Sequence, residues 1–279
     1  MRLTFLALTA AALLAVPAHA GTLVVGGDTT STFSLSASTS FGGNPGNRTF
    51  YANILGDAKR VLISDRSFTA PGYPSFANQN LATFYGSIAG VSVSRTASSM
   101  SSDVLRGIGL LVLQFPNAAV TGSETMAIGD FVRAGGTLLL TGEASIISPI
   151  FPAPDPAPGA VSNAIVNDLL AGLGSAIRLG NDTIGCCGTL TAQSDDIAST
   201  SLTKGVDTFK YGAVTSVSGG TAMIYAPTDF RRTSVLPFFA TETLVASAVP
   251  EPATWVMMIL GFGLAGGALR ARRRGAATA

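Results

Sequence analysis

The chain has 279 residues, of which 47% are hydrophobic and 12% charged, and its formal net charge is +1. That total hides an uneven distribution, because residues 21–248 hold twelve basic and fifteen acidic residues, a net charge of −3. A mildly acidic body lacks the basic patch that nucleic-acid binding requires, so nucleic acid is excluded as a partner. The single histidine, His19, precedes this body. The body therefore lacks the commonest general base, which excludes Ser-His-Asp and Cys-His mechanisms.

Residues 1–20 have the three parts of a secretory signal peptide. A basic start at Arg2 is followed by an apolar stretch and by the small-x-small sequence Ala18-His19-Ala20. We expect cleavage before Gly21, which leaves residues 21–248 as an exported body. An uncleaved membrane anchor is the alternative for this segment.

The first half of the body predicts an α/β fold. Residues 28–47 are rich in Gly, Ser and Thr and are predicted to form a loop. Between Thr49 and Glu143, short apolar runs such as GLLVLQF and GTLLLTGE alternate with helical patterns, which is typical of βαβ units. We therefore predict a doubly wound, mostly parallel sheet of the flavodoxin or Rossmann kind, with Ser123 as the cap of the helix GSETMAIGDFVRAG.

The segment FVRAGGTLLLTGE resembles the helix, Gly-Gly turn and strand of class I glutamine-amidotransferase-like domains. Enzymes of that family present a nucleophilic Cys just after a central strand. The matching place here holds Gln114, Phe115 and Pro116. The resemblance therefore implies the fold but argues against the family's catalysis.

The second half of the body changes in character. Residues 148–160 contain five prolines and are predicted to form an extended Pro-rich loop. VSNAIVNDLLAGLG predicts a helix that ends at Gly172 or Gly174. Residues 176–248 hold short β segments that we expect to extend one edge of the sheet antiparallel, with a separate small β domain as the alternative. YGAVTSVSGGTAMIYAP predicts a hairpin that turns at Gly219-Gly220.

Cys186 and Cys187 are adjacent in the sequence. In an oxidising exterior such a pair favours a vicinal disulfide, which closes a strained and easily reduced ring. Two free thiols, an intermolecular bridge and a metal site are the alternatives. The metal site is disfavoured because further Cys or His ligands are lacking.

A candidate ligand site follows from the predicted sheet. Ligands of open α/β sheets bind beyond the carboxyl ends of the strands. The prediction places Asp28, Asp65, Gln114 and Glu143 there. We expect no catalytic residues, no cofactor and no metal, since the body has no dinucleotide fingerprint, no phosphate-binding loop and no calcium loop.

Three functions are compatible with this body. The first is a non-catalytic surface protein that binds or organises material. The second is a carboxylate-dependent glycan hydrolase, which needs two of Asp28, Asp65 and Glu143 about 5–10 Å apart in a cleft. The third is a ligand-sensing module built on the amidotransferase-like fold, with a concave apolar pocket at the strand ends.

The C-terminus combines an apolar segment with a basic cluster. Residues 253–269 form an uncharged stretch that is just long enough for a transmembrane helix. Four arginines follow it and are expected to remain cytoplasmic as a stop signal, which puts the body outside the inner membrane: Arg270, Arg272, Arg273 and Arg274. A buried core helix is the alternative for the apolar stretch.

Residues 249–274 resemble the PEP-CTERM sorting signal in its PEPxxW form. The resemblance rests on Pro250-Glu251-Pro252, on Trp255, on the apolar span and on the arginines, in that order. Membership implies a Gram-negative source, a transient anchor in the inner membrane, and cleavage by the protease exosortase near the Pro-Glu-Pro sequence. It also implies release or attachment at a surface rich in exopolysaccharide, which makes exosortase and extracellular polysaccharide the expected partners.

Overall fold

The computed structural model describes residues 20–37, 42–67, 74–145, 157–185, 188–228, 232–245, 259–263, 266 and 270. The chain divides into two compact units. One is His19–Val245, and the other comprises Met1–Ala18 and Ala246–Ala279. The signal-peptide prediction for residues 1–20 falls outside the described residues except for Ala20, which begins the first strand.

The unit His19–Val245 combines helices and strands. Its helices are α1 (Pro45–Leu55), α2 (Pro74–Gly86), α3 (Ser102–Leu105), α4 (Gly122–Arg133) and α5 (Pro158–Leu173). Its first strands are β1 (Ala20–Gly26), β2 (Arg60–Ser64), β3 (Ser92–Thr96), β4 (Leu110–Gln114) and β5 (Thr137–Thr141). The later strands are β6 (Arg178–Leu179), β7 (Leu190–Gln193), β8 (Thr208–Tyr211), β9 (Val217–Ser218), β10 (Thr221–Pro227) and β11 (Val235–Val245). Two 3-10 turns, Thr30–Leu35 and Ser194–Asp196, complete it.

The central sheet has seven strands in the order β10-β11-β1-β5-β4-β2-β3. The strands from β1 to β3 in this order run parallel, whereas β11 pairs antiparallel with both β1 and β10. The prediction of a mixed α/β fold with a mostly parallel sheet and an antiparallel addition is confirmed. The first and last strands of the body are therefore neighbours, third and second from one edge of the sheet.

Helices cover both faces of this sheet. Residues of α1 and α2 share one buried cluster with Val24, Val61 and Leu139, whereas residues of α4 and α5 share the other with Leu23 and Leu138. Every residue of β4 is buried, which accounts for its uninterrupted apolar sequence.

The prediction that Ser123 caps α4 is wrong. Thr121 is the N-cap, and its hydroxyl accepts from the backbone N–H of Glu124 while the Glu124 carboxylate accepts from the backbone N–H of Thr121. This reciprocal capping box satisfies two free N–H groups of the first turn.

The predicted Pro-rich loop, residues 148–160, overlaps the start of α5. Residues 146–156 lie outside the described residues, and α5 already begins at Pro158. Proline is tolerated at the first helical position because that residue's missing N–H would have no intrahelical partner. The end of α5 is as expected, since Gly174 adopts a left-handed conformation with φ 77°.

The described parts of the predicted loop 28–47 contain regular structure. They contain the buried 3-10 turn Thr30–Leu35 and the first turn of α1. The side chain of Asn44 accepts from the backbone N–H of Asn47 and caps this helix.

The β-rich segment does not add to the sheet as a whole. Of its described strands, only β10 and β11 join the sheet, while β6 pairs with β9 and β7 with β8 in separate two-stranded sheets. Gly219 and Gly220 do turn the chain, with φ 76° and 63°, but the predicted hairpin is wrong because β9 and β10 pair with different partners.

In the other unit, residues 259–263, 266 and 270 are helical and exposed. Within the described part of the chain, no helix has both the length and the apolar character needed to cross a bilayer. Most of the predicted span 253–269 falls outside the described residues, as do Cys186 and Cys187 and therefore the predicted vicinal disulfide.

Candidate functional site

The four candidate residues all lie at the carboxyl edge of the parallel strands. Gln114 is the last residue of β4, Asp65 follows β2 directly, and Asp28 and Glu143 lie two residues beyond β1 and β5. Gly26 of β1 pairs with Thr141 of β5, which in turn pairs with Gln114. These pairings bring the ends of β1, β5 and β4 together.

Asp28 is fully buried and holds the 3-10 turn that follows it. Its Oδ1 accepts from the backbone N–H of Thr30 at 2.6 Å and of Ser31 at 3.2 Å, and from the Thr30 hydroxyl. Burial raises the pKa of this carboxyl from 3.8 to about 6, although hydrogen bonds from Thr30, Ser31 and Gly212 partly offset the effect. The side chain therefore acts as an internal cap.

Glu143 is fully buried next to the same turn. Its Oε2 accepts from the Thr29 backbone N–H at 3.3 Å and its Oε1 from that of Ala144 at 3.0 Å. The Asn163 side chain of α5 bonds to both backbone groups of Glu143. It accepts from the Glu143 N–H at 3.0 Å and donates to the Glu143 carbonyl at 2.9 Å. Two carboxyl groups thus converge on the turn from β1 and β5, and neither reaches the surface.

Asp65 stands apart from that pair. It forms an ion pair with Arg95 of β3 at 2.7 Å and accepts from the Asn78 side chain at 3.3 Å. Three strand spacings of about 4.8 Å each, roughly 14 Å in total, separate β2 from β1. The three acids therefore provide no exposed pair in a cleft, the arrangement that carboxylate-dependent glycan hydrolysis requires.

Gln114 is 1% exposed, and neither its Oε1 nor its Nε2 has a hydrogen-bond partner among the residues that the structure describes. The neighbouring Thr141 is satisfied, since its hydroxyl lies 3.0 Å from that of Thr29. A buried amide without partners is costly and is rare in native proteins. Gln114 is thus an unsatisfied polar group at the end of β4, paired in register with Thr141 of β5.

Phe115 directly follows the last residue of β4. It has a positive φ of 46° and a fully buried side chain, and its N–H donates to the Thr141 carbonyl at 2.7 Å. A positive φ is uncommon for a bulky residue and has an energetic cost. The backbone bends sharply here, but the side chain it presents is an apolar ring that points into the core.

The carboxyl edge above β1 and β5 is filled by the protein itself. A Cβ on Gly26 would lie 2.2 Å from the Phe239 ring, and one on Gly27 would lie 2.0 Å from the Thr215 carbonyl oxygen. On Gly142 it would lie 2.1 Å from Asn163 Oδ1. Glycine is required at these points because other side chains or the backbone approach the strand closely.

Two open hollows lie at the opposite, amino edge of the parallel strands. Their volumes are about 390 and 430 Å³, and both are lined by Gly109 and Gly135. Asp130 contributes to the first and Asp57 to the second. Among the residues with known positions, no group of three or more His, Cys, Asp or Glu could hold a metal ion.

Sequence patterns did not reveal the residues that organise this edge. Thr29 and Asn163 hold Glu143 from segments distant in sequence, and no local pattern indicates either contact. Glu124 was also missed, although its carboxylate accepts four hydrogen bonds from Thr121, Met100 and Arg66. The T-x-x-E spacing from Thr121 to Glu124 could have revealed the capping box.

Comparison with known proteins identifies the C-terminus. Residues 248–274 match the family model of the PEP-CTERM protein-sorting motif. The matched segment contains the Pro-Glu-Pro sequence, Trp255 and the four arginines. The chain therefore carries the sorting signal of an exosortase substrate, which marks an exported protein of the cell surface.

No curated protein matches the chain. Among solved structures, the mmIFT52 N-terminal domain is similar with a TM-score of 0.43 and 15% identity, covering 63% of this chain and 81% of that domain. Similarity at this level carries no argument about function.

Proposed function

We propose that this is a cell-surface protein that exosortase cleaves near Pro250-Glu251-Pro252. Its body remains at the surface or in the surrounding exopolysaccharide, where it binds or organises material without catalysing a reaction. The sorting motif at residues 248–274 is the observation that carries the proposal.

The order of the two ends of the chain supports this route. A signal peptide at residues 1–20 directs the body outwards, and the arginines after the apolar span keep the tail inside. The inner membrane then holds the precursor by residues 253–269 until exosortase removes the tail.

The contacts of the acidic side chains support a non-catalytic body. Asp28 and Glu143 bond to the backbone around the 3-10 turn, and Asp65 is paired with Arg95. A general acid or base must lie within hydrogen-bonding distance of the atom to which it gives, or from which it takes, a proton, and the buried pair is not exposed for that. A carboxylate-dependent hydrolase is accordingly the less supported alternative.

Matched substitutions test the route. The variant with Pro250, Glu251 and Pro252 replaced by Ala should accumulate in the inner membrane of the host, whereas the wild type reaches the surface or the medium. The chain offers its own control, because Pro154-Asp155-Pro156 repeats the Pro-acid-Pro pattern without the tryptophan and span. Its Ala variant should fractionate like the wild type. Normal surface delivery of the first variant would refute the proposal.

A second assay tests the role of the body. The released protein should sediment with purified host exopolysaccharide and leave the polymer length unchanged. Chain shortening that Asp28→Asn or Glu143→Gln abolishes would instead establish the hydrolase.

A further inference from the structure

The last strand of the body completes the sheet that the first strand begins. β1 lies between β5 and β11, and all seven of its residues pair with β11 from Gly26↔Phe239 to Ala20↔Val245. The Thr241 hydroxyl donates to the Leu23 carbonyl at 2.7 Å, across 218 positions of sequence. Until residues 235–245 are present, β1 has an open edge.

The same strand supplies the centre of one core cluster. Phe238 and Phe239 are fully buried, with ring centroids 5.4 Å apart. Phe239 packs edge-to-face on Phe50 of α1 at 5.1 Å and on Phe209 of β8 at 5.6 Å. Without β11, elements from opposite ends of the body lose their shared contact.

Contacts on either side of these rings bind further segments to β11. The Glu242 carboxylate accepts from the Ser175 hydroxyl and from the Ala176 backbone N–H, just after α5. Arg232, which precedes the strand, pairs with the nearly buried carboxylate of Asp196. The segments that lead into β6 and follow β7 are thus held by the end of the body.

We propose that β11 is a closing strand. The body stays open during export while β11 has not yet crossed the membrane, and the fold is completed only after residues 235–245 have crossed. This timing rests on the proposed export, in which the amino end crosses first. Strand pairing between distant parts of a chain is slow, which favours an open body in transit. Pro250 follows Val245 by only five positions. The sorting motif therefore approaches the membrane just as the fold can close.

Splitting the full-length protein tests the closing strand. A site for a sequence-specific protease is inserted between Thr228 and Ser234, in the connection between β10 and β11. The protein is purified in mild detergent and cut, and its two fragments are separated in denaturant and refolded alone or together. The larger fragment alone should be degraded by thermolysin at least tenfold faster than the recombined pair. Equal protease resistance and the same cooperative unfolding without the smaller fragment would overturn the proposal.

Two substitutions in the smaller fragment provide the specificity control. Phe239→Ala should weaken recombination at least tenfold, because it removes the buried ring. Leu236→Ala, in the same strand but 37% exposed, should recombine like the wild type. Equal recombination by both variants would also overturn the proposal. Since no exosortase is involved, failure here is distinct from failure of the sorting route, which is measured in cells.

Discussion

The Phe239 ring packs directly against the Cα of Gly26, so closely that a methyl group on Gly26 would lie 2.2 Å from the ring. The two residues pair across β1 and β11, and the ring is fully buried among other aromatic side chains. The contact joins the first and last strands and closes the carboxyl edge above them.

Gly26→Ala is therefore expected to destabilise the body. The ring has no free space to move into, and overpacking of this kind costs about 1–3 kcal/mol. Denaturant unfolding measures the loss. Gly122→Ala is the matched control, since a Cβ there meets nothing within 4 Å, and it should change stability by less than about 0.5 kcal/mol.

A second substitution locates the cause. If the ring is responsible, Phe239→Leu should reduce the cost of Gly26→Ala, and a double-mutant cycle would show coupling of about 1 kcal/mol. Strictly additive effects would show that the strain at Gly26 arises elsewhere.

Asp28→Asn should stabilise the protein at neutral pH. Because burial raises the folded-state pKa from 3.8 to about 6, this group lowers stability progressively as pH rises through that interval. This pKa difference lowers the free energy of unfolding by about 3 kcal/mol at pH 7. An Asn side chain keeps an acceptor for Thr30 and Ser31 without a buried charge.

The difference in unfolding free energy between Asp28→Asn and the wild type isolates this group from others that titrate. The difference should be near zero below about pH 3, where the carboxyl is protonated in both states, and approach about 3 kcal/mol by pH 7. Asp103→Asn, an exchange at an exposed position, is the control for a lost negative charge. A pH-independent difference would contradict the assigned role of burial.

Gln114→Met and Asn163→Leu should change stability in opposite directions. Both amides are buried, but the Gln114 amide has no hydrogen-bond partner in the described part of the chain. Asn163, in contrast, bonds to both backbone groups of Glu143 and to the Gly180 carbonyl. Removing an unsatisfied amide should stabilise by about 1 kcal/mol, and removing a satisfied one should cost about 1–3 kcal/mol. Thermal and denaturant unfolding of the two variants measure both effects. Destabilisation by Gln114→Met would show that the Gln114 amide has a partner in solution.

The strands buried on both faces could be predicted from the sequence, because a short apolar run is enough to indicate such a strand. β4 and β5 are short apolar runs between helices, and such runs have few other stable placements. The positions of Asp28 and Glu143 at strand ends followed from the same pattern.

Partners distant in sequence were not predictable. The Gly219-Gly220 turn could be predicted from the local sequence. The strands on its two sides, β9 and β10, do not pair with each other but with β6 and β11, and no local pattern indicates these partners. The burial of Asp28 and Glu143 was equally hidden. Carboxylates are usually exposed, and the N–H group of Thr29 that helps hold Glu143 lies 114 positions away.

The intact mass of the protein recovered from the host surface shows directly whether exosortase removes the C-terminal tail. Measured in cells with active exosortase and in cells with exosortase inactivated, it reports the C-terminal residue in each. We expect a chain that ends near Pro250 when exosortase is active, and a full tail retained in the inner membrane when it is not. A surface protein that keeps residues 253–274 in both strains would show that exosortase does not process this protein.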